Sequence, residues 1–267
     1  MRVRRPAIAA LALVAALGLA GCGPEESASS SGAGTSATGE KVAEQASAET
    51  ELASAVKKLN ENTMKVDMRM AGALSMSGVA DGRTGNSEMS VDMGSAGSGS
   101  TMSMRKIDDD IYLKIGGDLG KTLGASSGGK EWMHLDAAKL GAGSSLNFGS
   151  KDDPAGAKVL LDAVTGVERV GDHDFKGTLD LTKSPRYNQD KESLAALGDK
   201  ATNLPFTAKT DTEGRLTELA MDMSGLGAGA GEMTTKYSDF GTEVSVEAPP
   251  SSQVQEMPSS LSGILNA

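Results

Sequence analysis

Cysteine occurs once in the 267 residues, at Cys22. That excludes a disulfide within the chain and any cysteine-built metal site. Aromatic residues are also scarce: four Phe, three Tyr and one Trp. An interior must therefore be assembled from aliphatic residues and from the 14 methionines. Histidine appears only as His134 and His173. Cationic charge is in deficit, 26 Lys and Arg against 36 Asp and Glu, for a net charge of −10. Such a surface repels nucleic acid, which is bound through neutralised phosphates, and it does not spread on an anionic membrane by charge alone. There is no Gly-x-Ser-x-Gly and no His-Glu-x-x-His. The histidines thus have no recognisable nucleophile or metal partner, and the expectation is a protein that is not an enzyme and takes no cofactor.

The amino terminus supplies the sharpest positive signal. Arg2, Arg4 and Arg5 precede an apolar run, Ala7 to Leu19, too short to span a bilayer comfortably. The sequence Leu19-Ala20-Gly21-Cys22 follows, completing the three parts of an export signal. These four residues resemble the bacterial lipobox, a Leu, two small residues and an obligatory Cys. The resemblance implies that residues 1–21 are a lipoprotein signal peptide and that the Cys22 thiol takes a diacylglyceryl group before cleavage. The mature chain would then sit on the extracytoplasmic face of the cell membrane, with the membrane as its partner. Each buried methylene contributes about 0.8 kcal/mol, so two or more acyl chains anchor stably where one does not. An ordinary secretory leader with a chance cysteine is the competing reading. Residues 22–41 are the lipidated terminus and a Ser-, Gly- and Ala-rich linker with nothing to bury, reaching roughly 20–25 Å.

Residues 42–250 carry the folded domain, with 251–267 a tail expected to fray. Leu52, Val56 and Leu59 share one helical face, which predicts a helix from Val42 to Asn60. The period then becomes two. Alternation runs through 64–70, 89–93, 102–104, 111–115 and 132–135, with Gly and Ser clusters between the runs. One apolar and one polar side per run predicts an antiparallel sheet. Asp153-Pro154 starts a helix with Val159, Leu160, Ala163 and Val164 inside, and 191–197 is a second short helix. Strands return at 167–170, 175–181, 206–212, 216–223, 233–237 and 244–246. The fold expected is α+β: an open antiparallel half-barrel of about ten or eleven strands, helices on its concave side.

The candidate site is an apolar face suited to lipid. Met68 with Met70, Met102 with Met104, and Met221 with Met223 are spaced by two, so each pair shares a strand face. Thioethers mould to irregular apolar partners. Val66, Met89, Val91, Met93, Leu113 and Trp132 are assigned to the same cavity. The same residues equally suit an ordinary filled core. Cu(I) also favours thioethers, but ligands scattered over three strands do not converge. Asp108-Asp109-Asp110 lacks the alternating ligands and glycine of a calcium loop and reads as a solvated hairpin tip. Gly225 to Gly231 leads into a strand rather than a helix, so it reads as a hairpin connection and not a phosphate loop.

The order of lipobox, tether, helix, meandering strands, helical middle and further strands resembles the actinobacterial LppX/LprA/LprF/LprG lipoprotein family, whose fold is LolA-like. Leu52 to Met70, the Ile111-Tyr112-Leu113-Lys114 strand before Trp132, and Tyr237-Ser238-Asp239-Phe240-Gly241 with Val246 to Pro250 carry the likeness, over residues 50–250. The family implies a curved sheet whose cavity carries acylated lipids or glycolipids from the membrane, without catalytic residues. The expected function is therefore an anchored lipoprotein that binds and shuttles or senses lipids or glycolipids. The alternative is a structural lipoprotein with a filled core that binds another envelope protein.

Overall fold

A computed structural model describes residues 36–71, 74–94, 99–118, 120–121, 129–140, 153, 156–184, 191–227 and 231–258. The leader, Cys22 and the linker up to residue 35 lie outside the described residues. Helix α1 spans Ser36–Asn60. It begins before the predicted Val42 and ends where expected. Its stripe of Ala48, Leu52, Ala55, Val56 and Leu59 is buried. Lys57 and Lys58 in its last turn oppose the partial negative charge of the helix end. There Asn62 Nδ2 donates to the Lys58 carbonyl at 2.7 Å, satisfying a group the helix leaves open.

Twelve strands follow: β1 (Thr63–Met70), β2 (Leu74–Asp81), β3 (Ser87–Asp92), β4 (Thr101–Ile107), β5 (Asp110–Ile115), β6 (Trp132–Asp136), β7 (Val164–Arg169), β8 (Asp174–Leu179), β9 (Leu204–Thr210), β10 (Leu216–Asp222), β11 (Glu232–Ser238) and β12 (Val254–Glu256). They form one open sheet in the order β12-β6-β5-β4-β3-β2-β1-β11-β10-β9-β8-β7. Two meanders, β1 to β6 and β7 to β11, are thus joined where β11 pairs with β1. Every neighbouring pair is antiparallel except β12 with β6, which is parallel and makes the sheet mixed. The period-two alternation produces one apolar side. In β9, Leu204, Phe206, Ala208 and Thr210 are buried while Pro205, Thr207 and Lys209 are exposed. α1 touches β1, β10 and β7, so it crosses the apolar side of one half of the sheet. The described residues also form short helices α2 (Lys158–Leu161), α3 (Lys191–Leu197) and α4 (Asp199–Thr202), and single 3-10 turns at Ala137–Lys139, Leu181–Lys183, Ser224–Leu226 and Ser251–Gln253.

Several expectations need correction. The helix predicted after Asp153 is one turn, and Val164, assigned to its inner side, opens β7. Asp153 is itself buried and accepts a hydrogen bond from Asn60 Nδ2 at 3.2 Å. β2 escaped prediction because Ser75, Ser77 and Gly78 dilute its alternation. Val244 to Val246 is not a strand. A parallel partner for β6 requires a crossover, and this stretch serves as that crossover, tied down where Arg105 Nη1 donates to the Glu247 carbonyl at 3.1 Å. The chain past Pro250 does not simply fray, since Val254, Gln255 and Glu256 pair with Trp132, Met133 and His134. Losing one predicted strand and gaining two gives twelve.

Candidate functional site

Strand register assembles the predicted residues into rows. In one row Val66 lies opposite Tyr237 and Gly78, followed across the sheet by Met89, Met104, Leu113 and Met133. The next row runs from Leu219 and Thr235 through Met68, Met76, Val91 and Met102 to Ile115. A third joins Phe206, Met221, Met233, Met70 and Leu74. Directly opposed residues share a face, so every methionine within the twelve strands faces the side on which α1 packs. Met93 and Met223, just beyond the ends of β3 and β10, pack on the same core.

This face is not uniform along the strands. Met64, Val66, Met89, Val91, Met104, Leu113 and Met221 are buried. Met68, Met70, Met93, Met102 and Met223 are only partly covered, as are Leu74 and Ile115. The partly covered residues are near the end of β1, the start of β2, the ends of β3, β5 and β10, and the start of β4. In antiparallel succession those positions coincide at one end of the sheet. One end of the apolar face is therefore closed, while at the other the buried Met76, Met221 and Met233 stand beside thioethers that are only partly covered.

The closed end is polar beneath its apolar layer. Lys106 is buried, in register with Ser87 and Ile111, and Tyr237 is fully buried. Burial pushes the Tyr237 phenol far above its ordinary pKa, and the negative charge of Asp153 adds to the effect.

Trp132 is the predicted residue that the structure moves elsewhere. It lies opposite Lys114 in the register, while its neighbour Met133 belongs to the core row. Its ring is on the polar side, with the Arg105 guanidinium 5.0 Å and the Lys114 ammonium 6.0 Å from its centroid. Two adjacent apolar residues, Trp132 and Met133, made the parity of this run ambiguous. Sequence reasoning omitted Met64, Met76, Met133 and Met233. For Met64 and Met233 the signal was present, since both continue a run whose parity was already assigned.

The polar side is laced with cross-strand ion pairs. Glu218 lies 3.2 Å from Lys209 and 3.5 Å from Lys236, and Arg105 lies 3.0 Å from Glu88. His134 stands there too, its Nε2 2.7 Å from Asp110 Oδ1 and its Nδ1 2.8 Å from Glu256 Oε1. The Asp110 hydrogen bond is the largest of the influences that raise its pKa; desolvation opposes it and Glu256 reinforces it. Asp108 and Asp109 form the two-residue β4–β5 turn, with Asp108 at φ 51°, so this trio is a hairpin tip as read, with Asp110 turned to His134. His173 sits in the β7–β8 turn, where its carbonyl accepts from Thr210 N. Of the glycine-rich segment, residues 228–230 lie outside the described residues; β10 and β11 on either side of it pair antiparallel, as strands joined by a hairpin connection do. Among the described residues no cluster of three or more His, Cys, Asp or Glu is arranged to hold a metal ion. No described helix is long and apolar enough to cross a membrane.

No family model matches the chain. It is 28% identical over 215 residues to an uncharacterized 31.2 kDa protein of Streptomyces griseus encoded in the rplA–rplJ intergenic region. The match covers 70% of this chain and 68% of that protein.

Proposed function

We propose that this chain is a membrane-anchored, extracytoplasmic lipoprotein of the LppX/LprG type with a LolA-like half-barrel, and that it binds acyl chains of a lipid or glycolipid and shuttles or senses them at the cell envelope. The observation that carries the reading is the grading of the methionine face. Five thioethers, Met68, Met70, Met93, Met102 and Met223, stand half-covered at one end of that face. Long, flexible and polarizable side chains there suit an apolar partner of variable shape. Lipidation at Cys22 would hold the domain where such partners reside, and the linker would let it move about that point.

A second reading draws on a different observation. The central rows are buried, which fits a structural lipoprotein with a filled core that binds an envelope protein through its ion-paired outer side. Native mass spectrometry of protein purified from the membrane fraction separates the two. Co-purifying lipid, retained by wild type and lost on Met93→Asp or Met102→Asp, supports the carrier. Repeatedly lipid-free protein that takes up no added phospholipid supports the structural role. Membrane residence is tested separately: Cys22→Ser abolishes incorporation of labelled fatty acid and releases the protein to the medium.

A further inference from the structure

The C-terminal strand is the most weakly fastened element of the sheet. β12 has three residues, forms the one parallel pairing among the described residues, and sits at an edge. Its backbone attachment continues only to Met257 N, which donates to the His134 carbonyl at 2.9 Å. The side-chain fastening is His134. Each ring nitrogen of that residue faces a carboxylate oxygen, Asp110 on β5 and Glu256 on β12. Ionised carboxylates only accept hydrogen bonds, and a neutral imidazole has one N–H to give. Only the imidazolium donates to both. The Tyr112 ring lies beside it, 5.3 Å between centroids.

We infer that His134 is a proton-operated clasp that holds β12 on the sheet when charged and loosens it when neutral. The inference stands apart from lipid binding, since it concerns only the attachment of the strand. The groups facing His134 are Asp110 and Tyr112 from β5 and Glu256 from β12; Asp136 follows on β6 itself, its carboxylate engaged by Ala138 N. Of the nearby cations, Arg105 is paired with Glu88 and Lys114 with Glu131. The raised pKa fixes the sign. The contribution of the clasp is complete below the ordinary histidine value of 6.5 and is lost as pH rises through the raised one. Release would uncover the β6 edge and widen the groove of about 390 Å³ in which Gln255 of β12 adjoins Met133 and Ile115.

Hydrogen exchange of the mature protein tests this, following peptides across 251–258 from acid to alkaline pH with intrinsic rates divided out. Protection should fall about threefold or more as His134 deprotonates, the scale of an exposed charged pair. The decline should flatten in His134→Gln. In Glu256→Gln it should flatten too, because the amide can donate to the neutral ring as well as accept from the charged one; NMR follows the His134 titration in each protein, with His173→Gln used to assign the two imidazoles. Protection that is independent of pH, or an equal decline in His134→Gln, overturns the clasp.

Discussion

The thioether of Met89 lies over the bare backbone of Gly78: a Cβ placed at Gly78 would stand 2.7 Å from Met89 Sδ, well inside contact distance. The two residues are directly opposed in the central row of the apolar face. Glycine is needed here for close approach, because the Glu88 carbonyl oxygen, nearer still, and the Met89 Cα share with that thioether the space a methyl group would take. Gly177 repeats the device between the Gly166 carbonyl oxygen, the nearest atom, and the ring of Phe206, whose Cε1 would be 2.6 Å away.

Gly78→Ala should accordingly overpack the row and cost about 1–3 kcal/mol. Denaturant unfolding would show it as a lower midpoint with an unchanged slope. The paired change Gly78→Ala with Met89→Ala should recover little of the loss, because the Glu88 carbonyl and the Met89 Cα remain in the way.

The methionines should divide by depth. Met104 is 3% exposed, so Met104→Ala leaves a cavity and should lose about 2–5 kcal/mol. Met93 and Met223 are partly covered. Truncating either removes atoms that are already partly exposed and should cost less than about 2 kcal/mol, below the range for buried sites, while weakening uptake of a fluorescent fatty acid several-fold.

Trp132 should behave in the opposite way. It is buried on the polar side under Arg105 and Lys114, on the other face from the methionines. Trp132→Ala should lower stability by about 3 kcal/mol and leave fatty-acid affinity unchanged. Loss of affinity without loss of stability would return this residue to the apolar face.

What the sequence made legible was mostly parity. Once Met64 to Met70 are read as alternating, their face is fixed, and the same holds at β9 and β11, where buried and exposed residues alternate without a break. The limits have physical causes. Ser75, Ser77 and Gly78 hide β2 because the spare volume at Gly78 belongs to Glu88 and Met89 of the neighbouring strand, which no pattern within β2 announces. β12 has three residues, and its pairing depends on a crossover and on His134, neither of which leaves a local pattern. The grading from buried Met104 to half-covered Met102 lay beyond alternation too, since both residues share one face and differ only in distance from the end of the sheet.

Alkaline unfolding should trace to Tyr237. Burial keeps its phenol neutral in the folded chain above the ordinary value of 10.0, while the unfolded chain ionises there. The folded state then holds the extra proton, so stability falls as pH rises above 10.0, by up to about 1.4 kcal/mol per unit. Tyr237→Phe should remove that part of the slope. Parallel stability curves for the two proteins between neutral and strongly alkaline pH would contradict the assignment.

The most direct measurement labels the methionine methyl groups with carbon-13 and follows each resonance by NMR while a phospholipid is added. The account predicts that Met68, Met70, Met93, Met102 and Met223 shift or broaden first, with Met64, Met89, Met104 and Met221 moving little. Saturation with no methionine responding, or a response led by Met64, Met89, Met104 and Met221 while the half-covered five stay unmoved, would contradict the lipid-binding face.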